Sequence, residues 1–192
     1  MPATPPARGG EPARGRQPAT SRDPARGQSL VEFSLIVGPL LLLLLGVIQF
    51  GFIFNTYITL TNAVREAARE GSIYVYDRAA VRSVNDLSRN ERIRTTLTGA
   101  MNALSKVAPQ FANSSTWTST TSGTTVTYVT GDLTVTYTLP AGMTDNDPRQ
   151  GYRVTVRAIY HQDILIPLIG NLLPKDAGGR LALTGETTMV IN

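Results

Sequence analysis

One long apolar stretch dominates the hydrophobic pattern of the chain. No residue is charged from Phe33 to Val64, and the most apolar part, Leu35–Phe54, has 20 residues. A helix of 20 residues rises about 30 Å, which matches the hydrocarbon core of a bilayer. The pattern therefore predicts one transmembrane helix. Gly38-Pro39 interrupts it, but the backbone in lipid has no other partner, so we expect the helix to kink and continue.

A buried helix of a soluble domain and a secretory signal peptide also produce apolar stretches. Uncharged runs of this length are rare in soluble domains of this size. The apolar region of a signal peptide is shorter and is followed closely by small residues at a cleavage site. Here the nearest weak candidate, Thr61-Asn62-Ala63, lies well beyond Phe54. We therefore expect an anchor that is retained.

Helical patterns continue after the apolar stretch. Ala63–Glu70 is rich in helix formers, so the first helix should extend to about Gly71. A second helix is predicted over Asp86–Val107, and Pro109 would end it. Apolar residues recur there at three- and four-residue spacing on one face, which indicates core packing. They are Ile93, Leu97, Met101, Leu104 and Val107.

From Trp117 onward the pattern is that of threonine-rich β-strands. Alternating segments are Thr124–Thr130, Leu133–Leu139, Tyr152–Tyr160 and Leu181–Ile191. Thr130-Gly131-Asp132 predicts a turn, and Gly185 a possible bulge. We therefore predict an α+β fold, in which a small antiparallel sheet packs on one or two helices. This domain would occupy residues 72–192.

Two segments fit neither pattern. Ala141–Gly151 is a loop of turn residues, and its acidic residues lack the ordered spacing of a calcium loop, so we assign no metal site. Ile164–Leu173 is apolar but broken by Pro167 and Gly170. It either covers the sheet or forms an exposed patch for a partner subunit or the membrane surface.

The distribution of charge orients the helix. The net charge is +4, and residues 1–31 hold five arginines against Glu11 and Asp23. Residues 1–26 are rich in proline, glycine, alanine and arginine, so we predict a disordered tail. Because positive flanks stay in the cytoplasm, the N-terminus should be cytoplasmic and the C-terminal domain extracytoplasmic. This asymmetry explains the basic pI without nucleic acid as a partner.

The junction between tail and helix carries a motif. It reads Arg26-Gly27-Gln28-Ser29-Leu30-Val31-Glu32-Phe33. A carboxylate at the edge of the hydrocarbon is costly, which favours a function for Glu32. The local alternative is a capping box, with Ser29 at the N-cap and Glu32 at N3. One glutamate can serve both purposes.

This junction, the apolar stretch and the segment Leu60–Gly71 together resemble the TadE-like family of tight-adherence (Flp) pilus proteins, a branch of the type IV pilin-like proteins. The resemblance covers about residues 26–71. Ordinary type IV pilins usually have phenylalanine after the cleavage glycine, whereas Gln28 and Ser29 stand here. That difference argues against the ordinary class.

The resemblance implies processing by a prepilin peptidase between Gly27 and Gln28, which would remove residues 1–27 and leave residues 28–71 as the helix. It further implies that Glu32 and Phe33 take part in subunit assembly, with Glu32 neutralising the new terminal amine of a neighbouring subunit. Membrane lipid, the peptidase, other pilin-like subunits and the pilus assembly platform are the implied partners.

No catalytic motif is present in the sequence. Cysteine is absent, and His161 is the single histidine, which excludes disulfides and multi-histidine metal sites. Asp163 should share a strand face with His161, where the two side chains could pair. We expect no enzymatic activity and no cofactor. Two alternatives to a pilin-like role stay open: a signal-anchored extracytoplasmic binding module unrelated to pili, and a membrane-tethered hydrolase, which would need His161.

Overall fold

The structure, a computed structural model, describes residues 24–73, 76–101, 116–146, 148–166 and 170–192. The chain divides into two units, Met1–Leu41 and Leu42–Asn192. The elements are α1 (Pro24–Ser72), α2 (Arg82–Ala100), β1 (Thr118–Ser122), β2 (Thr125–Thr130), β3 (Leu133–Thr138), β4 (Arg153–Gln162) and β5 (Leu181–Val190). This confirms the predicted α+β class. The prediction of a disordered tail falls outside the described residues.

Helix α1 is continuous through Pro39, as predicted, and ends one residue after Gly71. It is the one helix among the described residues that is long and apolar enough to cross a membrane. In the first unit its apolar side chains are exposed, with Leu30 69% and Leu35 74% accessible. Since such a surface is costly in water, the segment is suited to lipid or to other apolar helices.

The sheet is a five-stranded antiparallel meander in the order β1-β2-β3-β4-β5. Two-residue turns join the first three strands, Gly123-Thr124 between β1 and β2 and Gly131-Asp132 between β2 and β3. Both glycines have positive φ, 56° and 53°. Two-residue hairpins need this conformation, and glycine adopts it without steric cost. The turn predicted at Gly131 is confirmed.

One face of the sheet forms the core with both helices. The predicted alternation puts Leu133, Val135 and Tyr137 on one face of β3. All three are buried, and they pair with Ala158, Val156 and Val154 of β4. The helices contribute Leu60, Ala63, Val64, Ala67 and Ala68 from α1 and Ile93, Leu97 and Met101 from α2. The apolar stripe predicted for the second helix is therefore core. Leu104, Val107 and Pro109 lie outside the described residues.

Helix α2 and strand β1 differ from the sequence prediction. The helix was predicted over Asp86–Val107, but it ends at Ala100, with Met101 as its C-cap. Helix α2 begins at Arg82, four residues before Asp86, because Asn85 bonds the backbone that enters the helix and the Asp86 carboxylate is used elsewhere. Strand β1 was not predicted as a separate element. All five of its residues are exposed, so it lacks the alternation that marks a half-buried strand.

Gly185 is not at a bulge. The register of β4 and β5 continues across it, with Ala158 opposite Gly185. The glycine serves close packing instead: a Cβ there would lie 3.1 Å from Leu60 Cγ and 3.1 Å from Val64 Cγ2 of α1. The helix therefore crosses the sheet where the strand has no side chain.

Candidate functional site on helix α1

The residues of the motif lie in the first turns of α1. Gly27 and Gln28 are helical, since the helix begins at Pro24. Ser29 consequently lies inside the helix and not at its N-cap. The Gln28 side chain instead donates a hydrogen bond to Glu32, with 3.0 Å between Nε2 and Oε1. This is an i,i+4 contact on the exposed surface of the helix.

The geometry shows what a cut after Gly27 would produce. Gln28 would become the first residue, and its amine would stand about one helical turn, roughly 5 Å along the axis, from the Glu32 side chain. A carboxylate near the positive end of a shortened helix is favourable. Phe33, 66% exposed, follows directly. The described site combines an acid with exposed apolar side chains, and a cut after Gly27 would add an amine.

The buried face of α1 begins further along the chain. Between residues 27 and 49 the first buried side chain is Gln49, which is 1% exposed. From there the covered positions form one face, because they are separated by one, three, four or seven residues. They are Gln49, Thr56, Leu60, Ala63, Val64, Ala67 and Ala68. Alanines at the outer end allow close approach to the sheet, which is why the helix holds the domain there.

Two polar residues of α1 bind the chain that follows β4. Thr56 Oγ1 donates to Gln162 Oε1 at 2.7 Å, and the Leu165 backbone N–H donates to Gln49 Oε1 at 2.9 Å. Burying a polar side chain is costly unless it is hydrogen-bonded. These contacts explain why two polar residues occur in the apolar stretch. The sequence showed Gln49 as polar but gave no sign of its partner.

A buried ion pair fixes α2 to the loop before β4. The Arg149 guanidinium makes two hydrogen bonds to the Asp86 carboxylate, both 2.8 Å, and both side chains are at most 4% exposed. Tyr128 OH donates to the same carboxylate at 2.9 Å. Arg149 has a positive φ of 57°, which costs a non-glycine residue roughly 1 kcal/mol, so the pair must offset that strain.

Aromatic rings enclose the guanidinium of this pair. It lies 5.1 Å from the ring centroids of Tyr137 and Tyr152. Tyr137 OH also donates to Asn90 Oδ1 at 2.6 Å. Burial, and secondarily the Asp86 carboxylate, raises the pKa of Tyr128 to about 12. Burial likewise raises the pKa of Tyr137. These contacts join α2 to the sheet, so we regard the cluster as structural, although the Asn90 Nδ2 is buried without a hydrogen-bond partner.

His161 does not pair with Asp163, contrary to the prediction. Its Nδ1 bonds the Asp176 carboxylate, and its Nε2 lies 3.4 Å from Asp132 Oδ1. Backbone N–H groups of the turn, that of Arg180 first, and the bond with His161 lower the pKa of Asp176. The cluster thus ties the turn before β5 to the sheet. Within the described ranges no three histidine or acidic side chains are arranged to hold a metal ion.

Comparison with protein families concerns the α1 segment. Residues 27–69 match the family model described as TadE-like protein. This segment is TadE-like. The match begins at Gly27 and ends near the end of α1. No curated protein and no solved structure gives a significant match to the chain.

The TadE-like segment and its apolar helix relate the chain to the tight-adherence pilus system. The match covers less than a quarter of the chain, so the sheet domain is outside it. The predicted site residues, Gly27, Gln28, Glu32 and Phe33, all lie within the TadE-like segment and on consecutive turns of one helix. Residues found only in the structure, Asp86 and Arg149 among them, belong to the domain.

Proposed function

We propose that the chain is a TadE-like minor pilin or pseudopilin that takes part in the assembly of a tight-adherence pilus. A prepilin peptidase would cut between Gly27 and Gln28. The helix would retain the mature chain in the cytoplasmic membrane, with its N-terminus in the cytoplasm and residues 72–192 outside. The coincidence of the family match with the motif at Gly27 carries the proposal.

The exposed first half of α1 supports an assembly role. Cleavage after Gly27 removes the arginine-rich leader but leaves the whole apolar helix. Nothing in the described chain covers its apolar side chains before Gln49. They can therefore pack against lipid or against the helices of other pilin-like subunits and the assembly platform. We assign this role as structural, with no catalysis and no cofactor.

Glu32 provides the specificity of this packing. A charge at the edge of the hydrocarbon must be paired, and the terminal amine made by cleavage is a cation in the same layer. Among the residues that the structure describes, the neutral Gln28 side chain is the hydrogen-bond partner of this carboxylate. Cleavage replaces a neutral neighbour by a charged one, so processing and assembly are coupled.

Two substitutions of Glu32 test this role in cells that assemble the pilus. Glu32→Gln keeps a hydrogen-bonding side chain beside Gln28 but removes the charge. We expect Glu32→Gln and Glu32→Ala both to insert in the membrane and both to lose co-purification with other pilin-like subunits. Glu186→Ala, at an exposed glutamate of β5, is the matched control and should assemble normally.

The outcomes separate the alternatives. If only Glu32→Ala lost assembly, Glu32 would act through local hydrogen bonding and not through its charge. If both variants assembled normally, the result would contradict the pilin-like role and favour a signal-anchored binding module. The hydrolase alternative requires His161, so it predicts lost function in His161→Ala, whereas our proposal predicts normal assembly.

A further inference from the structure

We propose that the lower rim of the outer domain lies in the outer interface of the bilayer, with Leu165 and Leu172 against acyl chains. The lower rim comprises residues 163–166 and 170–175. The inference rests on the membrane anchor of the proposed function and goes beyond it, because an anchored domain can also stand clear of the lipid.

Two hydrogen bonds fix the depth of the rim along α1. Gln162 is bound at Thr56, and Leu165 is bound at Gln49. Seven helical residues separate Thr56 from Gln49, a rise of about 10 Å, and three residues of extended chain cover about the same distance. The chain after β4 therefore runs alongside the helix toward the helix N-terminus. Leu165 lies at the level of Gln49.

Helix α1 also displays apolar side chains at this same level. Five large apolar side chains there are 43–65% exposed: Phe50, Phe52, Phe54, Tyr57 and Ile58. A row of exposed aromatic rings is costly in water and typical of the outer part of a membrane span. This level of the helix is thus in lipid or its interface. The chain that packs on α1 at this level, from Gln162 to Leu165, must lie in the same layer.

The side chains of the rim suit that layer. Leu165 is 65% exposed and Leu172 is 84% exposed. The Gly170 N–H donates to the Ile166 carbonyl at 3.0 Å, which holds the chain before Leu172 beside the chain after Leu165. Leu172 thus belongs to the same rim as Leu165, and both leucines are exposed. Contact with acyl chains removes both from water.

Charged residues of the rim limit how deeply the rim enters the bilayer. Asp163 and Lys175 are both exposed, and the Lys175 ammonium donates to Asn171 Oδ1 at 3.3 Å. An ammonium suits lipid phosphate, and a carboxylate must stay among headgroups. Asp163 lies between the levels of Thr56 and Gln49, so the headgroup layer lies there. Leu165 then lies just below it, within the roughly 5–10 Å that interfacial elements penetrate.

This depth agrees with the other end of the helix. If the hydrocarbon begins near Phe52, a span of about 20 residues ends near Phe33, directly after Glu32. Glu32 would then be the residue directly before the span in the sequence.

Spin labelling tests the depth directly, because the chain has no cysteine and each label is unique. Leu165→Cys and Leu172→Cys, each carrying a nitroxide, are prepared in the full chain and reconstituted in vesicles of phosphatidylcholine and phosphatidylglycerol. Leu44→Cys on the exposed helix is the control in lipid. Thr120→Cys in exposed β1 is the control in water. Collision of the label with oxygen is compared with its collision with a water-soluble nickel chelate.

We expect the oxygen-to-nickel ratio at Leu165 and Leu172 to exceed that at Thr120 several-fold and to fall below that at Leu44. If both rim labels match Thr120 while Leu44 is protected from nickel, the anchor stands and the inference is overturned, which leaves the rim for a protein partner. If Leu44 is also accessible to nickel, the membrane anchor itself fails, and the inference fails with it.

Discussion

Asp86 and Arg149 are 63 positions apart in the chain, yet they form a bidentate ion pair with both N–O distances at 2.8 Å and almost no exposure to solvent. Removing one partner leaves the other charge buried and unpaired. We expect Asp86→Ala to lower the free energy of unfolding by about 3–5 kcal/mol. Denaturant unfolding of the full chain in detergent, followed by Trp117 fluorescence, measures this.

The control for that prediction is an ion pair on the surface. Arg157 and Glu186 are 4.0 Å apart and more than half exposed. Arg157→Ala should change the free energy of unfolding by at most about 1 kcal/mol. Equal effects of the two substitutions would show that the buried pair does not hold α2 and the loop together.

Alkaline pH should weaken the domain through Tyr128. Its pKa in the folded state is raised to about 12, above the ordinary value of 10.0. The protonated phenol is therefore favoured by folding: its contribution to stability is complete below pH 10 and is lost as pH rises toward about 12. Tyr128→Phe removes this titration and also the hydrogen bond to Asp86.

The stabilities of the unchanged protein and of Tyr128→Phe should thus converge at high pH. Below pH 10 we expect Tyr128→Phe to be less stable by about 1.5–3 kcal/mol, since the bond goes to a carboxylate. The difference should shrink between about pH 10 and pH 12. Midpoints of denaturant unfolding over that range measure this difference in stability. Tyr137 is present in both proteins, so its titration does not contribute to the difference. A difference independent of pH would refute the assignment to Tyr128.

Gly185→Val tests the close crossing of α1 over β5. The added carbons would meet Leu60 and Val64, where even a Cβ is at 3.1 Å. We expect a loss of about 1–3 kcal/mol in the free energy of unfolding from overpacking. Thr184→Val is the control, because it changes the exposed side chain of the preceding residue. It should change the free energy of unfolding by at most about 0.5 kcal/mol. If Gly185→Val kept the stability of the unchanged protein, α1 and β5 would be further apart than the structure shows.

Gln49→Leu tests the contact between α1 and the chain after β4. The substitution makes the helix more apolar but leaves the Leu165 N–H without its acceptor. We expect normal membrane insertion, with amide exchange at Leu165 faster by roughly tenfold, which corresponds to about 1.4 kcal/mol. Phe50→Leu, on the exposed side of the helix, should leave exchange unchanged. Unchanged exchange in Gln49→Leu would show that the bond does not hold this chain.

Features that depend on neighbouring positions in sequence were predictable. The apolar stretch of α1 is visible as composition alone. Alternation put Leu133, Val135 and Tyr137 on one face of β3, which is the buried face. The turn at Gly131 follows from the residue that a two-residue hairpin needs. The motif at Gly27 and Glu32 is also local, since it lies within two turns of one helix.

Features that depend on distant pairs were not predictable. Nothing near Asp86 in the sequence points to Arg149, and Asp86 instead suggested the start of a helix. His161 was assigned to its near neighbour Asp163, whereas the turn before β5 brings Asp176 to it. Gly185 suggested a bulge because its true reason, the passage of α1, is a tertiary contact. A polar residue or a glycine is compatible with several local roles, and only the tertiary structure shows which role it has.

The mature N-terminus is the most direct test of the account as a whole. The chain is purified from membranes of cells with and without the prepilin peptidase, and its N-terminal peptide is identified by mass spectrometry. We predict that it starts at Gln28 when the peptidase is present and retains residues 1–27 when it is absent. A leader that is intact in both kinds of cell would contradict the pilin-like assignment.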